Sequence, residues 1–365
     1  MRAISAVAGL AIIATVLWDA FETVVLPRSV SRGFRLGRTY FRSTWREWRA
    51  IARRINGDGR RERFLAIYGP ISLIGLLAVW AFGLIFGFAV LQWAAGSRLA
   101  TPSGAATFGD DLYMSGTTFF TIGLGDVHPI ARLARFLTVA EGGTGFGLLA
   151  IVISYFPVVY QSFSRREVRL TMLDAWAGSP PCGADVLRRL GEAGELHLLE
   201  PFLRDWEYWC SELLESHISY PVVAYFRSQH TRQSWVSALA AILDLSTLVS
   251  VGIDGLPAWQ AHATFAIARH AAVDLTQVFR IPPDYEADRL TRSDLDALRA
   301  QLERVGLRPA RSPEADAKLE ELRRSYEPFV AALAASLLMP APPWRRAQPT
   351  RDNWQSSPRR EATHL

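Results

Sequence analysis

From Phe64 to Ser97 the chain carries no Asp, Glu, Lys, Arg or His over 34 consecutive positions. About 20 apolar residues in a helix cross the hydrocarbon core of a bilayer. The run is therefore too long for a soluble core helix and predicts a transmembrane span within about Leu65 to Trp93. Two further runs are similar. Ala3 to Leu26 is apolar apart from Asp19 and Glu22, and about Leu133 to Phe163 has Glu141 as its only acid. The first run is preceded by a single Arg2 and shows no small-x-small cleavage site, so it reads as a retained membrane helix.

Arginine placement sets the expected orientation. All but one of the 40 basic residues are arginine, Lys318 being the exception, and the net charge is +5. Twelve arginines fall between Arg28 and Arg63, among only three acids, Glu47, Asp58 and Glu62. Such loops stay on the cytoplasmic side. This block lies between the first two spans, and Arg165 and Arg166 follow the third. The N-terminus is then expected outside and everything after Arg165 inside, in a multi-pass protein of a bacterial plasma membrane.

Within residues 28–63, Arg28, Arg32, Arg35, Arg38, Arg42, Arg46, Arg49 and Arg53 recur every three or four positions. Phe34, Phe41, Trp45, Trp48, Ala52 and Ile55 form a second stripe at the same spacing. One helix with a cationic and an aromatic face suits the inner interface, with Arg32, Arg35, Arg42, Arg46, Arg49 and Arg53 toward anionic lipid headgroups. A voltage-sensing role would need a surrounding sensor bundle, and only one span precedes the block. Nothing places a basic groove, so nucleic acid is not an expected partner.

Between the second and third spans lies "TTFFTIGLGDVHP", Thr117 to Pro129. It is too short and too rich in glycine to cross a membrane as a helix, so residues 107–129 read as re-entrant. Irregular backbone at membrane depth is tolerated where it lines a water or ion path. Dehydrating a cation requires oxygen ligands in place of water. A short segment with its carbonyls aimed at one axis supplies them, provided several copies surround that axis. Glycine at 123 and 125 allows backbone angles that other residues avoid, and Thr121 adds a hydroxyl at the inner end.

"DLYMSGTTFFTIGLGDVHP", Asp111 to Pro129, resembles the pore helix and selectivity filter of potassium channels, T-[VI]-G-[YFL]-G-D followed by a proline. Its Ile and Leu are similar to those of two-pore-domain potassium channels, and the flanking spans fit that family's helix–pore–helix unit over about Leu65 to Phe163. The resemblance implies a pore helix over Phe108 to Phe119 and carbonyl ligands for K+ from Thr121, Ile122, Gly123 and Leu124. Gly125 and Asp126 would close the outer mouth. It implies a homotetramer with no cofactor, potassium ions being the permeant species. Two departures bear on ion preference: Leu124 replaces a commoner aromatic, and Phe120 stands where many members carry a second threonine.

In the third span, "EGGTGFG" places Gly142, Gly143, Gly145 and Gly147 in one helix. Each costs about 1 kcal/mol relative to alanine, so the cluster needs a reason. The resemblance puts a gating hinge near Gly145, and close helix packing through Gly143 and Gly147 is the other reading. Pro157 is expected to kink the inner end. Intramembrane acids are functional candidates. Asp19 and Glu22 share a face with Leu26, where pairing with an arginine such as Arg28 is the plainer expectation. Glu141 lies deeper and is expected to face the pore helix or the first span.

From residue 165 to 339 the pattern is helical, with apolar residues at three- and four-residue spacing. Trp235 to Ile253 is nearly apolar enough for a fourth span, yet Ser237, Asp244, Thr247, Ser250 and Val251 suggest a helix packed in a soluble bundle. No Ser-His-Asp arrangement, P-loop or strand-flanked glycine fingerprint is present, so no enzyme is expected and the ligand of this domain is not legible. His217 reads as a packing histidine. Cys182 and Cys210 lack the spacing of a disulfide framework or zinc finger. Residues 340–365 hold five prolines and five arginines and are expected to be disordered.

The fold class is therefore an all-α membrane protein: three transmembrane helices, a re-entrant pore helix and filter, and an α-helical cytoplasmic domain. Its expected segments are residues 1–27, 28–63, 64–164, 165–339 and 340–365. The alternative function is a membrane-anchored helical interaction or signalling protein with a non-conducting or non-selective pore unit.

Overall fold

The computed structural model describes residues 1–24, 36–102, 104–230, 232–253 and 255–346. The chain divides into two compact units, Met1–Gln161 and Ser162–Leu365. Among the described residues four helices are long and apolar enough to cross a membrane: α1 (Arg2–Val24), α3 (Asp58–Ala94), α5 (Arg132–Ala177) and α8 (Trp235–Gly252), with α2 (Leu36–Ala52) and α4 (Phe108–Phe119) between the first three.

In the first unit α1 and α3 pack closely because small residues face each other. A Cβ on Gly9 would come within 2.9 Å of the Gly87 carbonyl oxygen, and one on Gly87 within 2.7 Å of Ile13. Backbones without side chains between them gain dispersion contacts that lipid cannot replace. Ile13, Val16 and Ala20 of α1 meet Leu76, Trp80, Leu84, Ile85 and Phe88 of α3 in one core, which Phe119 and Leu148 complete. Gln92, fully buried in α3, donates to the Ala134 carbonyl and the Thr138 hydroxyl of α5.

Helix boundaries differ from expectation at the charged ends. α3 starts at Asp58, well before Phe64, because Arg60, Arg61 and Arg63 continue its hydrogen-bonded turns outside the apolar run. α5 passes Pro157 unbroken and ends at Ala177.

The aromatic stripe of the arginine-rich helix packs on α3. Trp48 stacks on Phe64 at 4.3 Å and 9° and donates to the Phe64 carbonyl at 3.2 Å, while Trp45 lies 4.8 Å from Tyr68. Tyr68 reaches back to the Phe41 carbonyl at 3.0 Å. The aromatic face of α2 is thus buried against α3. Arg42, Arg46 and Arg53 are exposed and Arg49 is half-buried. Arg28, Arg32 and Arg35 lie outside the described residues.

The second unit is a helical bundle of α6 (Gly183–Ala193), α7 (Leu199–Ser219), α8, α9 (Ala258–Phe279), α10 (Arg292–Glu303), α11 (Pro313–Arg324) and α12 (Glu327–Leu337). α8 is its centre. Of its apolar window 83% is buried by protein, against 17% for α5, so α8 is a bundle core and not a span. Its one acid, Asp244, is matched inside the bundle. Arg289 grips both carboxylate oxygens at 2.6 and 3.0 Å, and the Tyr326 hydroxyl donates to one of them at 2.7 Å.

Of the tail expected to be disordered from Pro340 onward, residues 340–346 are described and hold a packed side chain. Trp344 is buried, donates to Glu327 at 3.0 Å, and lies between the guanidinium groups of Arg289 and Arg323, 5.9 and 5.7 Å from its ring. One aromatic with a matched polar edge fixes the segment that prolines alone would leave extended. Residues 347–365 lie outside the described residues.

Candidate functional site: the re-entrant segment

α4 covers the residues expected for the pore helix. Thr107 caps its start, with its backbone N–H and its hydroxyl both donating to Asp110, at 2.8 and 2.7 Å. Asp110 and Asp111 in the first turn suit the positive end of the helix dipole, which leaves the partial negative charge at Phe119. Flanking the segment, Leu99–Ala100 and His128–Pro129 pair as a short antiparallel ribbon. Leu99, Met114 and Val127 form a small apolar cluster beneath it.

After α4 the chain turns sharply. The Thr117 carbonyl accepts from Ile122 N at 2.7 Å and from Gly123 N at 3.3 Å. Thr121, Gly123 and Gly125 all have positive φ, +58°, +56° and +79°. Glycine takes such angles freely, whereas Thr121 takes them against a steric cost. Residues 121–126 are exposed throughout the protomer, and the side chains of Phe120, Ile122 and Leu124 are 56%, 57% and 66% exposed.

Tyr113 donates its hydroxyl to Asp126 at 3.0 Å, tying the middle of α4 to the far end of the segment. Nothing in the spacing of 113 and 126 announces this contact. The tyrosine sits one turn before the Thr117 carbonyl, and only the tight turn brings Asp126 back over it.

On the other side of α4 two acids, Glu141 and Asp111, are buried. Glu141 of α5 is fully buried and hydrogen-bonds Ser115, whose hydroxyl is also 2.7 Å from the Ile85 carbonyl of α3. Asp111 accepts from Ser97 at 2.6 Å. Ser97, Tyr113 and Ser115 are site neighbours that motif reading does not single out, because serine and tyrosine are common on any helix.

The four glycines of α5 do different things. A Cβ on Gly145 would collide with the Phe119 carbonyl, one on Gly142 would make an ordinary 3.7 Å contact with Thr118, and among the described residues one on Gly143 or Gly147 would meet nothing within 4 Å outside its own helical turns. Asp19 in α1 accepts from Gly37 N of α2, 3.1 Å from each carboxylate oxygen, and from Trp80 Nε1 of α3 at 2.9 Å. Glu22 is buried beside it.

Residues 74–162 match the model of the family described as "Ion channel". The chain is similar to the uncharacterized membrane protein YdjJ of Bacillus subtilis (strain 168), 22% identical over 204 residues, which are 55% of this chain and 58% of YdjJ. Thus the match spans little more than half of that relative. It is also similar to Protein LctB of Geobacillus stearothermophilus, 30% identical over 94 residues, 23% of this chain and 69% of LctB. Protein LctB of Bacillus caldotenax is 29% identical over 94 residues, with the same coverage. No solved structure matches. A helix, a re-entrant helix with a glycine-bearing turn, and a second long helix stand where the family match falls, and the chain belongs to the potassium-channel-like ion channel family.

Proposed function

We propose that the chain is one subunit of a homotetrameric, potassium-selective channel in a bacterial plasma membrane. The observation that carries this reading is the segment Thr121 to Asp126, which follows the negative end of α4 with left-handed angles at both glycines and is open to its surroundings in a protomer. A single strand cannot encircle an ion, so four copies would supply the rings of carbonyl oxygen from Thr121, Ile122, Gly123 and Leu124. Other copies would also cover the apolar side chains of Ile122 and Leu124. Many residues of α5 need such cover or lipid; Phe136, Val139 and Phe146 are 68%, 76% and 67% exposed.

Potassium ions would move down their gradient, with no cofactor. Gly125 and Asp126 would form the outer mouth. The arginines between α1 and α3 would lie at anionic headgroups on the cytoplasmic side, leaving the N-terminus outside and the helical bundle inside.

The test is flux in liposomes under a potassium gradient, with potassium, rubidium and sodium compared for the parent protein and Gly123→Ala. Potassium and rubidium flux that disappears in the variant supports the reading. Equal sodium flux keeps the channel and removes the selectivity. A monomeric detergent particle with no flux favours the membrane-anchored helical protein instead.

A further inference from the structure

Glu141, Ser115 and Ile85 join α5, α4 and α3 at one buried point, and their hydrogens can be counted. The Ser115 hydroxyl is within bonding distance of two acceptors, the Ile85 carbonyl at 2.7 Å and the Glu141 carboxyl. A serine hydroxyl has one hydrogen to give. If Glu141 were a carboxylate, both contacts would need that hydrogen, and one oxygen pair would meet with no proton between them. The second oxygen of Glu141 adds to the difficulty. Oε2 is buried with no hydrogen-bond partner in the described residues, a severe cost for a shared negative charge and a small one for the carbonyl of a neutral acid.

We infer that Glu141 is a positioning residue that works as a neutral carboxylic acid: its O–H donates to Ser115 Oγ, and Ser115 donates to the Ile85 carbonyl. Each hydroxyl then gives one hydrogen and each contact holds one. The relay runs from α5 through the pore helix to α3 and fixes the rotation of α4 about its axis. Relays of this kind polarise one another in a low-dielectric site. Asp111, on the same face of α4 one turn earlier, is engaged by Ser97, and Gln92 farther along α3 is neutral and engaged by α5. Arg132 and Arg135, on the same helix as Glu141, are exposed.

This inference rests on α4 being the pore helix, but its first readout does not. Infrared spectra of the full-length protein in liposomes, parent against Glu141→Gln, are expected to show one protonated-carboxyl C=O band that the variant lacks. Ser115→Ala should keep that band and move it to the higher frequency of an acid without a hydrogen-bond acceptor. Spectra in which Glu141→Gln removes no such band, or Ser115→Ala leaves it unmoved, overturn the inference whether or not the protein conducts.

The second readout is the ratio of potassium to sodium flux. Glu141→Gln keeps a donor in place and should retain the ratio, while Glu141→Ala should lower it about tenfold, the range expected when a buried partner is stranded. A glutamine variant as damaged as the alanine variant also overturns the inference. Absence of flux from the parent protein would count against the channel reading and leave the spectral result standing.

Discussion

The carbonyl of Phe119, at the end of α4, rests on the bare backbone of Gly145 in α5. A methyl group there would collide with the oxygen and come within 3.1 Å of its carbon. The two helices therefore touch at the point where the re-entrant segment begins. Gly145→Ala is expected to push α4 away, lowering flux and destabilising the protein by roughly 1–3 kcal/mol, the usual cost of overpacking. Thermal unfolding in detergent with parallel flux assays would measure both. Parent-like stability and flux would refute the contact.

Gly143→Ala and Gly147→Ala provide the contrast. Among the described residues, a Cβ added at either position would meet nothing within 4 Å outside its own helical turns, so each alanine should raise helix stability by up to about 1 kcal/mol. If either variant instead loses oligomer in size measurements, that glycine faces another copy. Retained oligomer with parent-like flux would mean that neither position lies at an interface.

Tyr113→Phe removes only the hydroxyl that holds Asp126. The bond is exposed, so little change in global unfolding is expected. Selectivity is the sensitive readout, since the hydroxyl ties down the far end of a segment whose position 124 carries leucine instead of a ring. The potassium-to-sodium flux ratio should fall while total flux persists. An unchanged ratio would show that the Leu99–Met114–Val127 cluster suffices to anchor the far end of the segment.

Asp19 presents a larger effect. Its carboxylate receives the Gly37 amide and the Trp80 indole in a site buried among three helices. Asp19→Ala leaves both donors without an acceptor, at about 1–3 kcal/mol for each stranded group. Amide exchange of α2 should quicken relative to α3, whose own hydrogen bonds do not depend on Asp19. The double variant Asp19→Ala with Trp80→Phe should recover part of the loss. Slow exchange of α2 in the single variant would show that its aromatic face alone holds it.

These contacts also mark where sequence reasoning succeeds. The long apolar helices α1, α3 and α5 and the short helix α4 follow from apolar runs with few charges and from a six-residue motif, signals that depend on composition and local spacing. The burial of Trp235 to Ile253 follows less directly, because a bundle core and a membrane span share hydropathy, and only Asp244 with its distant partners Arg289 and Tyr326 separates them. The docking of α2 onto α3 is not legible at all. An aromatic stripe has the same pattern whether it meets lipid or Phe64 and Tyr68. For the same reason the short docked stretch ending at Arg346 escapes a reading based on proline content, since one residue, Trp344, decides it.

In the second unit, His217 is fully buried between Arg166 and the Leu213 carbonyl. Nδ1 lies 2.8 Å from that carbonyl and Nε2 lies 3.4 Å from the guanidinium. Only a neutral ring donates at the first and accepts at the second. Burial, and then the nearby Arg166 charge, hold its pKa well below the ordinary histidine range, with the bond to Leu213 opposing them. The unfolded chain therefore binds a proton that the folded chain refuses, so His217 favours unfolding as pH falls below about 6.5 and has no such effect above it. Amide exchange of α7 in the whole protein should accelerate between pH 7 and pH 5, on the order of the histidine's titration, beyond the intrinsic change in exchange chemistry. His217→Gln keeps one donor and one acceptor but cannot titrate, and its α7 should lose this extra acceleration. Equal acceleration in both proteins would assign the acid sensitivity of the bundle to other groups.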